Sequence, residues 1–593
     1  MMKKFPLFLL AASILIPISA CAEKDGGSET SAIKVTGISL NESTKTLEVG
    51  DTFQLEAIVT PDDASNKSVR YSSADTSIAK VNSTGLVTAY QRGSTKISVI
   101  TNDGNHFAQC KIIVTSNGVA PDDIDDSDPI NSDTVIPDTP VTLEPTNYDI
   151  ETPHDVTIQD NTVLHCWNWS MNTIKNNLND IANAGFKTIQ LSPMQPQKDY
   201  YNGGSWEGQW WKLYQPLGFS IAQNGQNVLG TKEELRQMCE AAENKGIKVI
   251  VDVVANHLAG GGDTFLNGSV RNFEPEIYDQ NLIHTLGDKT KAPGYDSNSE
   301  YILRGAIGGF PDLQTENPVV QNRVLSLLKE YIDVGVDGFR FDAAKHIETP
   351  DDGELASNFW PTVLNGATSY AHDKNLPTPY YYGEILTTPG TKRDFEWYTK
   401  FMSVTDSEEG GEAIAAVEKK NELVISNNLY KTALPANKLM LWGESHDTFA
   451  NELGSTRESE SIDVNKAYCI QASRKDASSL YFARPNAGWG MGSIGSTDYK
   501  SAEIKAANEF HNKIMFSPET IHSSNGCFIN ERGTKGIAII GISNSSNQVT
   551  IDLNNIKSGS YINLVNNQTI SASNKKITVT LINGVAFLIR SDI

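Results

Sequence analysis

Four short blocks place acids and histidines at the ends of apolar runs: DVVANH at 252–257, GFRFDAAKH at 338–346, YGEIL at 382–386 and GESHD at 443–447. One acid closing a strand is most often a helix cap or a solvated loop residue, so no single block decides anything. Together they gather carboxyl and imidazole groups, the side chains of general acid–base and nucleophilic chemistry. In the second block Arg340 stands two residues before Asp342. On an extended strand that spacing puts both on one face, where the fixed positive charge would hold the carboxyl ionised.

The segments around these blocks alternate strand and helix. A strand at 163–167 precedes a helix with Ile174, Leu178 and Ile181 on one face, and a strand at 188–191 follows. A helix at 232–245 leads into 248–254, a nearly continuous apolar run that predicts a strand buried on both sides. The helix at 319–334 carries Val320, Val324, Leu327, Leu328 and Tyr331 on one stripe before the strand 338–342. Repeated βα units over about 350 residues imply parallel strands, closed as a barrel or doubly wound. No G-x-G-x-x-G follows an early strand, so dinucleotide binding lacks support and the barrel is favoured. In such a barrel the C-terminal ends of the strands build the active site, which is where the four blocks fall.

The flanks differ in texture. From about 519 onward short strands such as 536–542, 549–553 and 577–582 predict a small antiparallel β-domain. Residues 32–116 also read as short strands: Phe53, Leu55, Ala57 and Val59 alternate with Thr52, Gln54, Glu56 and Ile58, and runs at 78–81, 85–89, 95–100 and 110–114 keep the spacing of a β-sandwich. Residues 117–155 predict an acidic, disordered linker, since 121–155 is rich in Asp, Pro, Thr and Ser without Lys or Arg. At the start, Lys3 and Lys4 precede an apolar run at 5–20, shorter than the ~20 residues that span a bilayer, which reads as a signal peptide. Its end, Ile18-Ser19-Ala20-Cys21, resembles a bacterial lipobox whose Cys21 is acylated after cleavage; plain cleavage near Ala20 is the alternative. Cys110, Cys166, Cys239, Cys469 and Cys527 form an odd set without CxxC spacing, and buried unpaired thiols are expected. With 49 Lys and Arg against 72 Asp and Glu, the 593-residue chain carries a formal charge of −23, which repels nucleic acid and suits an uncharged substrate.

In their order and setting the four blocks resemble the conserved regions of glycoside hydrolase family 13, the α-amylase family, from roughly 156 to the C-terminus. WWKLYQP, GIKVIVDVVANH, GFRFDAAKHIE and ESHDT are most similar to secreted bacterial α-amylases. The resemblance implies a (β/α)₈ TIM barrel at 156–515 with an inserted B domain at about 260–318, then a C-terminal antiparallel β-sandwich at 516–593. It implies an endo-acting enzyme that hydrolyses internal α-1,4 bonds of starch or glycogen with retention, through a glycosyl-aspartate. That chemistry needs two carboxyl groups about 5–5.5 Å apart. By match, Asp342 is the nucleophile, Glu384 the general acid that keeps its proton through partial burial and negative neighbours, and Asp447 the third acid.

His257 and His446 match histidines that bind sugar hydroxyls, Arg340 lies among them, and Lys345 and His346 resemble the pair on the leaving-group side. Trp211, Tyr214 and Gln215 match the sugar-binding cluster; Trp210 and Trp211 cannot both face one cleft if extended. Tyr200, Tyr201 and Trp206 would extend it. Calcium is implied by the same resemblance, held by Asn256, Asp312 and the backbone carbonyl of His346, with the carbonyl of Leu303 a weaker candidate. Asp312 alternatively reads as a cap for the helix near 318. The stretches VTGISL, LEVGDTFQLEAIVTP, VNSTGLVTA and GSTKISV resemble a group 2 bacterial immunoglobulin-like domain, which implies a surface spacer or adhesion module. A maltogenic or transglycosylating relative, or a non-catalytic glucan-binding surface lipoprotein, are the competing readings.

Overall fold

A computed structural model describes residues 33–73, 78–82, 84–101, 106–115, 158–198, 209–261, 264–266, 268–285, 299–386, 395–425, 434–451, 456–486, 490–515, 517–544 and 546–593. The expected signal peptide with Cys21, the expected acidic linker, and Tyr200, Tyr201 and Trp206 lie outside the described residues. The chain divides into two compact units, 1–139 and 140–593.

In the second unit eight parallel strands close a barrel: β1 (Thr162–Cys166), β2 (Thr188–Leu191), β3 (Lys248–Val254), β4 (Gly338–Asp342), β5 (Tyr380–Gly383), β6 (Ser403–Thr405), β7 (Leu439–Trp442) and β8 (Ser478–Phe482). A helix follows each: α1 (Met171–Asn183), α2 (Lys232–Glu243), α3 (Pro318–Asp333), α4 (Phe359–Asp373), α5 (Phe395–Thr399), α6 (Ser407–Glu418), α7 (Ser461–Ala472) and α8 (Ala502–Ile514). Alternate strand residues point to opposite faces. Leu164, Val251, Val253, Phe339 and Phe341 meet the helices' apolar stripes, while Val163, Ile250, Tyr382, Met440 and Leu480 fill the barrel. Burial on both faces is why β3 reads as an unbroken apolar run, and why Asp252 inside it is conspicuous.

Local signals set the helix starts. Thr231 and Glu234 form a reciprocal capping box on α2. Asn317 caps α3, its side chain accepting from the Val319 N–H at 2.9 Å with Pro318 next. Asp312 is therefore not the cap. Between β3 and α3 the chain makes the expected excursion, with a two-stranded ribbon (Gly260–Gly261 and Thr264–Phe265) and short helices at Ser269–Phe273, Pro275–Asp279 and Ser299–Arg304. Arg323 of α3 grips Glu274 in the excursion with two nitrogens, at 2.7 and 2.9 Å.

After α8, eight strands follow one hydrogen-bonded antiparallel order. Gly536–Gly541 stands third in that order and Gln548–Asp552 last, yet both bury residues in one apolar cluster with Ile577 and Val579. The sheet therefore folds back on itself as a sandwich, and its other face packs on α8 through Phe587 against Phe510.

The first unit is a small β-sandwich cored by Leu47, Leu55, Val87, Ile97, Val99, Ile112 and Val114. The alternating run at 52–59 is two strands rather than one. Thr52–Gln54 pairs with Leu86–Ala89, and Ala57–Thr60 pairs with Gly37–Leu40.

Candidate active site

Arg340 and Asp342 point into the barrel from β4, and Asp252 of β3 and Tyr382 of β5 are the Cα partners of Arg340 across the two neighbouring ladders. The guanidinium sits at the centre of the acids. Nη1 donates to Asp252 Oδ2 at 2.6 Å and to Asp342 Oδ1 at 3.0 Å, while Nη2 lies 2.9 Å from Glu384 Oε2. Straight after Asp342, Ala343 takes a left-handed backbone (φ 49°) and donates its N–H to Glu384 Oε2 at 3.0 Å. A non-glycine residue held there stores of order 1 kcal/mol or more of strain. Glu384 follows β5 and donates its own N–H to the Phe341 carbonyl at 2.9 Å. Asp447 stands in the first turn of a short helix, His446–Ala450, fixed by a capping box between Ser445 and Thr448. Side-chain exposure rises outward, from 5% at Arg340 to 12% at Asp342, 13% at Glu384 and 32% at Asp447.

Four carboxylates (Asp252, Asp342, Glu384, Asp447) against one guanidinium would leave −3 in a buried cavity, so protons are retained. Burial and mutual repulsion push Asp342 well above the carboxylate range, Asp252 up to about 6 and Asp447 up to about 7. Burial acts the same way on Glu384, but Arg340 and the Ala343 N–H overcome it and bring that group down to about 2. Arg340 favours the ionised form of each acid it touches, and it is unevenly divided: Glu384 has Nη2, whereas Asp342 shares Nη1 with Asp252. Asp447 shares a side-chain hydrogen bond with Glu384, so the proton has a path between them.

The histidines are neutral. Burial brings His446 down to about 3 with help from Arg340, and His257 down to about 4. His446 stacks on Tyr214 (centroids 5.3 Å apart), and its Nε2 is 3.6 Å from Asp447 Oδ2. Tyr214 donates its hydroxyl to Asp252 Oδ2 at 3.0 Å. His257 donates Nε2–H to the Tyr214 carbonyl at 2.9 Å, and its Nδ1 is buried without a hydrogen-bond partner among the described residues. Trp210 and Trp211 lie in a one-turn helix rather than a strand. Trp210 packs on Trp167 and His446, and Trp211 is 40% exposed with the Lys198 and Lys212 ammonium groups 5.9 and 5.7 Å from its ring. Gln215 is buried and accepts from Lys198 Nζ at 2.8 Å. Lys345 is half-buried just past Asp342. His346 is buried, its Nδ1–H meeting the Ile302 carbonyl at 2.7 Å.

Asn256 and Asp312 are brought together, Asn256 Nδ2 donating to Asp312 Oδ1 at 2.8 Å. Asn256 Oδ1 is buried with no hydrogen-bond partner among the described residues, and Asp312 is fully buried. An orphaned neutral oxygen beside a buried carboxylate fits a hard cation. Asp312 Oδ2 also meets His284 Nδ1 at 2.7 Å.

Two residues of the site were not singled out from sequence. Asp252 binds both Arg340 and Tyr214; the signal was an acid inside a strand that must be buried on both faces. His165 meets the His446 ring edge-on at 5.5 Å inside the barrel. It carried no signal beyond its place on β1.

Comparison with known proteins agrees with this architecture. Residues 167–375 match the family described as "Alpha amylase, catalytic domain", and residues 34–112 match "Bacterial Ig-like domain (group 2)". An α-amylase of Clostridium acetobutylicum is 33% identical over 411 residues, 68% of this chain, and one of Butyrivibrio fibrisolvens is 31% identical over 404 residues, 62% of this chain. The chain spans 50% of the length of the first and 40% of the second. Among solved structures, α-amylase I of Eisenia fetida superposes with a TM-score of 0.57 at 18% identity, covering 72% of this chain and 97% of that one. An Anoxybacillus α-amylase gives 0.55 at 16%, covering 74% and 99%. At these identities the superpositions speak for the fold alone. With the barrel, the clustered acids and these matches in agreement, the barrel region of this chain is similar to the catalytic domain of the α-amylase family of glycoside hydrolases, and the segment before it is similar to a group 2 bacterial immunoglobulin-like domain.

Proposed function

We propose that the chain is a retaining, endo-acting α-amylase that hydrolyses internal α-1,4 bonds of starch or glycogen. The observation that carries this reading is the clamp of Arg340 on Asp342 and Glu384, at 3.0 and 2.9 Å. Two carboxyls held by one guanidinium suit the ~5–5.5 Å separation of a retaining pair. Asp342 attacks the anomeric carbon and forms an ester as the glycosidic C–O bond breaks, and Glu384 gives its proton to the departing oxygen. Glu384 then takes a proton from water, whose oxygen opens the ester and frees Asp342. For this Asp342 must be ionised and Glu384 protonated. Sugar hydroxyls that donate to Asp447, the most exposed of the three acids, favour its ionised form and release its proton across the shared hydrogen bond. Tyr214 and His446 present a stacked wall and Trp211 an exposed face to the glucan.

Calcium would be held by Asn256, Asp312 and the His346 carbonyl, where it would fasten the excursion to the barrel. Endo action is inferred from the similarity of the blocks to secreted α-amylases. Export with a lipid on Cys21 is supported by the apolar run at 5–20; radiolabelled palmitate incorporated by the wild type and not by Cys21→Ser is the expected result, and equal labelling would reject it.

The test is the release of reducing ends from soluble starch by the wild type and by Asp342→Asn. The variant is expected to be slower by at least about a thousandfold. Near-normal turnover would overturn the assignment. Long oligosaccharides are expected first; maltose alone from the outset would instead favour a maltogenic enzyme.

A further inference from the structure

At the base of the excursion three side chains from separate segments converge with no part in the glycosidic chemistry. His284 lies in the excursion, Glu316 just before α3 and Glu348 in the segment after β4, and a ligand atom of each lies within 4.8 Å of the others. We propose that His284, Glu316 and Glu348 bind one divalent first-row transition ion such as zinc, at a site separate from the Asn256–Asp312 oxygen pair.

The donor set itself discriminates. Calcium takes an all-oxygen shell, whereas one imidazole with two carboxylates suits zinc, manganese or cobalt. The imidazole is already oriented as a metal ligand. His284 Nδ1 lies 2.7 Å from Asp312 Oδ2, and Nε2 faces Glu316 at 3.1 to 3.2 Å. A carboxylate that takes the proton of one ring nitrogen fixes the tautomer and leaves the lone pair of the other for an ion.

Glu348 supplies an independent sign. Its side chain is wholly buried, Thr315 Oγ1 donates to its Oε2 at 2.5 Å, and its Oε1 has no hydrogen-bond partner among the described residues. A buried carboxylate oxygen without a donor is unfavourable unless a cation meets it. The protein's nearest candidate is Arg304, whose Nε stands 3.5 Å away and is itself without a hydrogen bond among the described residues. The metal-free alternative is an imidazolium bridging Asp312 and Glu316, which leaves Glu348 Oε1 with only the long ion pair to Arg304 and no hydrogen bond among the described residues.

The full chain, stripped with a chelator and resupplied with excess calcium, is titrated with zinc or cobalt(II), and bound metal is counted by mass spectrometry after gel filtration. One equivalent of the transition ion is expected beyond calcium, with a cobalt spectrum of nitrogen and oxygen ligands and no strong thiolate charge-transfer band. Glu316→Gln and Glu348→Gln are each expected to weaken that binding at least about tenfold while calcium content is kept. Because Glu348 is buried, Glu316→Gln, at a ligand 36% exposed, separates metal binding from folding. Overturning results are no retained zinc, a thiolate cobalt spectrum, or binding unchanged in both variants.

Discussion

Arg340 gives one nitrogen to Glu384 and divides the other between Asp252 and Asp342, so the acids of the site compete for one positive charge. The consequence is measurable. On the proposed mechanism Glu384 delivers a proton, and burial together with the Glu384 charge pushes its neighbour Asp447 up to about 7. Below that value Asp447 keeps its proton in the free enzyme, and as pH rises through it that proton is lost. Since kcat/KM reports groups of the free enzyme, it is expected to fall above pH about 7 on a maltooligosaccharide. A profile flat to pH 9 would contradict this role of Asp447. Asp342, Glu384 and Asp447 were legible in the sequence because each closes an apolar run in a recognisable block. The order in which they hold protons was not, since it depends on how two strand registers and one backbone N–H share a guanidinium.

Elements were legible where burial imposed a period. β2, β3 and β4 stand where the apolar runs put them, because a strand covered on both faces must be apolar throughout. Helix ends shifted by a residue or two, since caps decide them: α2 stops at Glu243, and α3 starts at Pro318 behind Asn317. The split of 52–59 escaped because alternation reports which face is buried, and both halves bury the same face: Leu55 and Val59 are covered although each half pairs with a different partner. Gly85 marks the crossing, with φ 85° and a carbonyl of Leu55 so near that a Cβ would collide with it. The excursion makes its own prediction. If Asn256 and Asp312 hold calcium that fastens it, a calcium-selective chelator is expected to lower Tm by several degrees, and Asn256→Ala to lose most of that shift. An unchanged Tm after thorough chelation would reject the ion.

At the scale of the whole molecule, the acids of the proposed active site lie within one compact unit. Every acid around Arg340 comes from residues 140–593, and that unit carries its own core together with the C-terminal sandwich. Arg532 of the sandwich is fully buried and donates to the carbonyls of Ser517, Ser473 and Ile514, which joins sandwich to barrel through strong, desolvated hydrogen bonds. A chain beginning at residue 140 is therefore expected to keep kcat on soluble maltooligosaccharides within about twofold. A loss beyond tenfold would mean that the immunoglobulin-like domain serves the chemistry. The composition, by contrast, announced only an acidic protein; the proposed activity rests on the relation between Asp342 and Glu384. The most direct measurement of that relation is proton NMR of the sugar released in the first moments of hydrolysis. Attack by Asp342 followed by water predicts the α-anomer first, with the β-anomer appearing later by mutarotation, whereas β-anomer at the outset would mean single displacement and contradict the account.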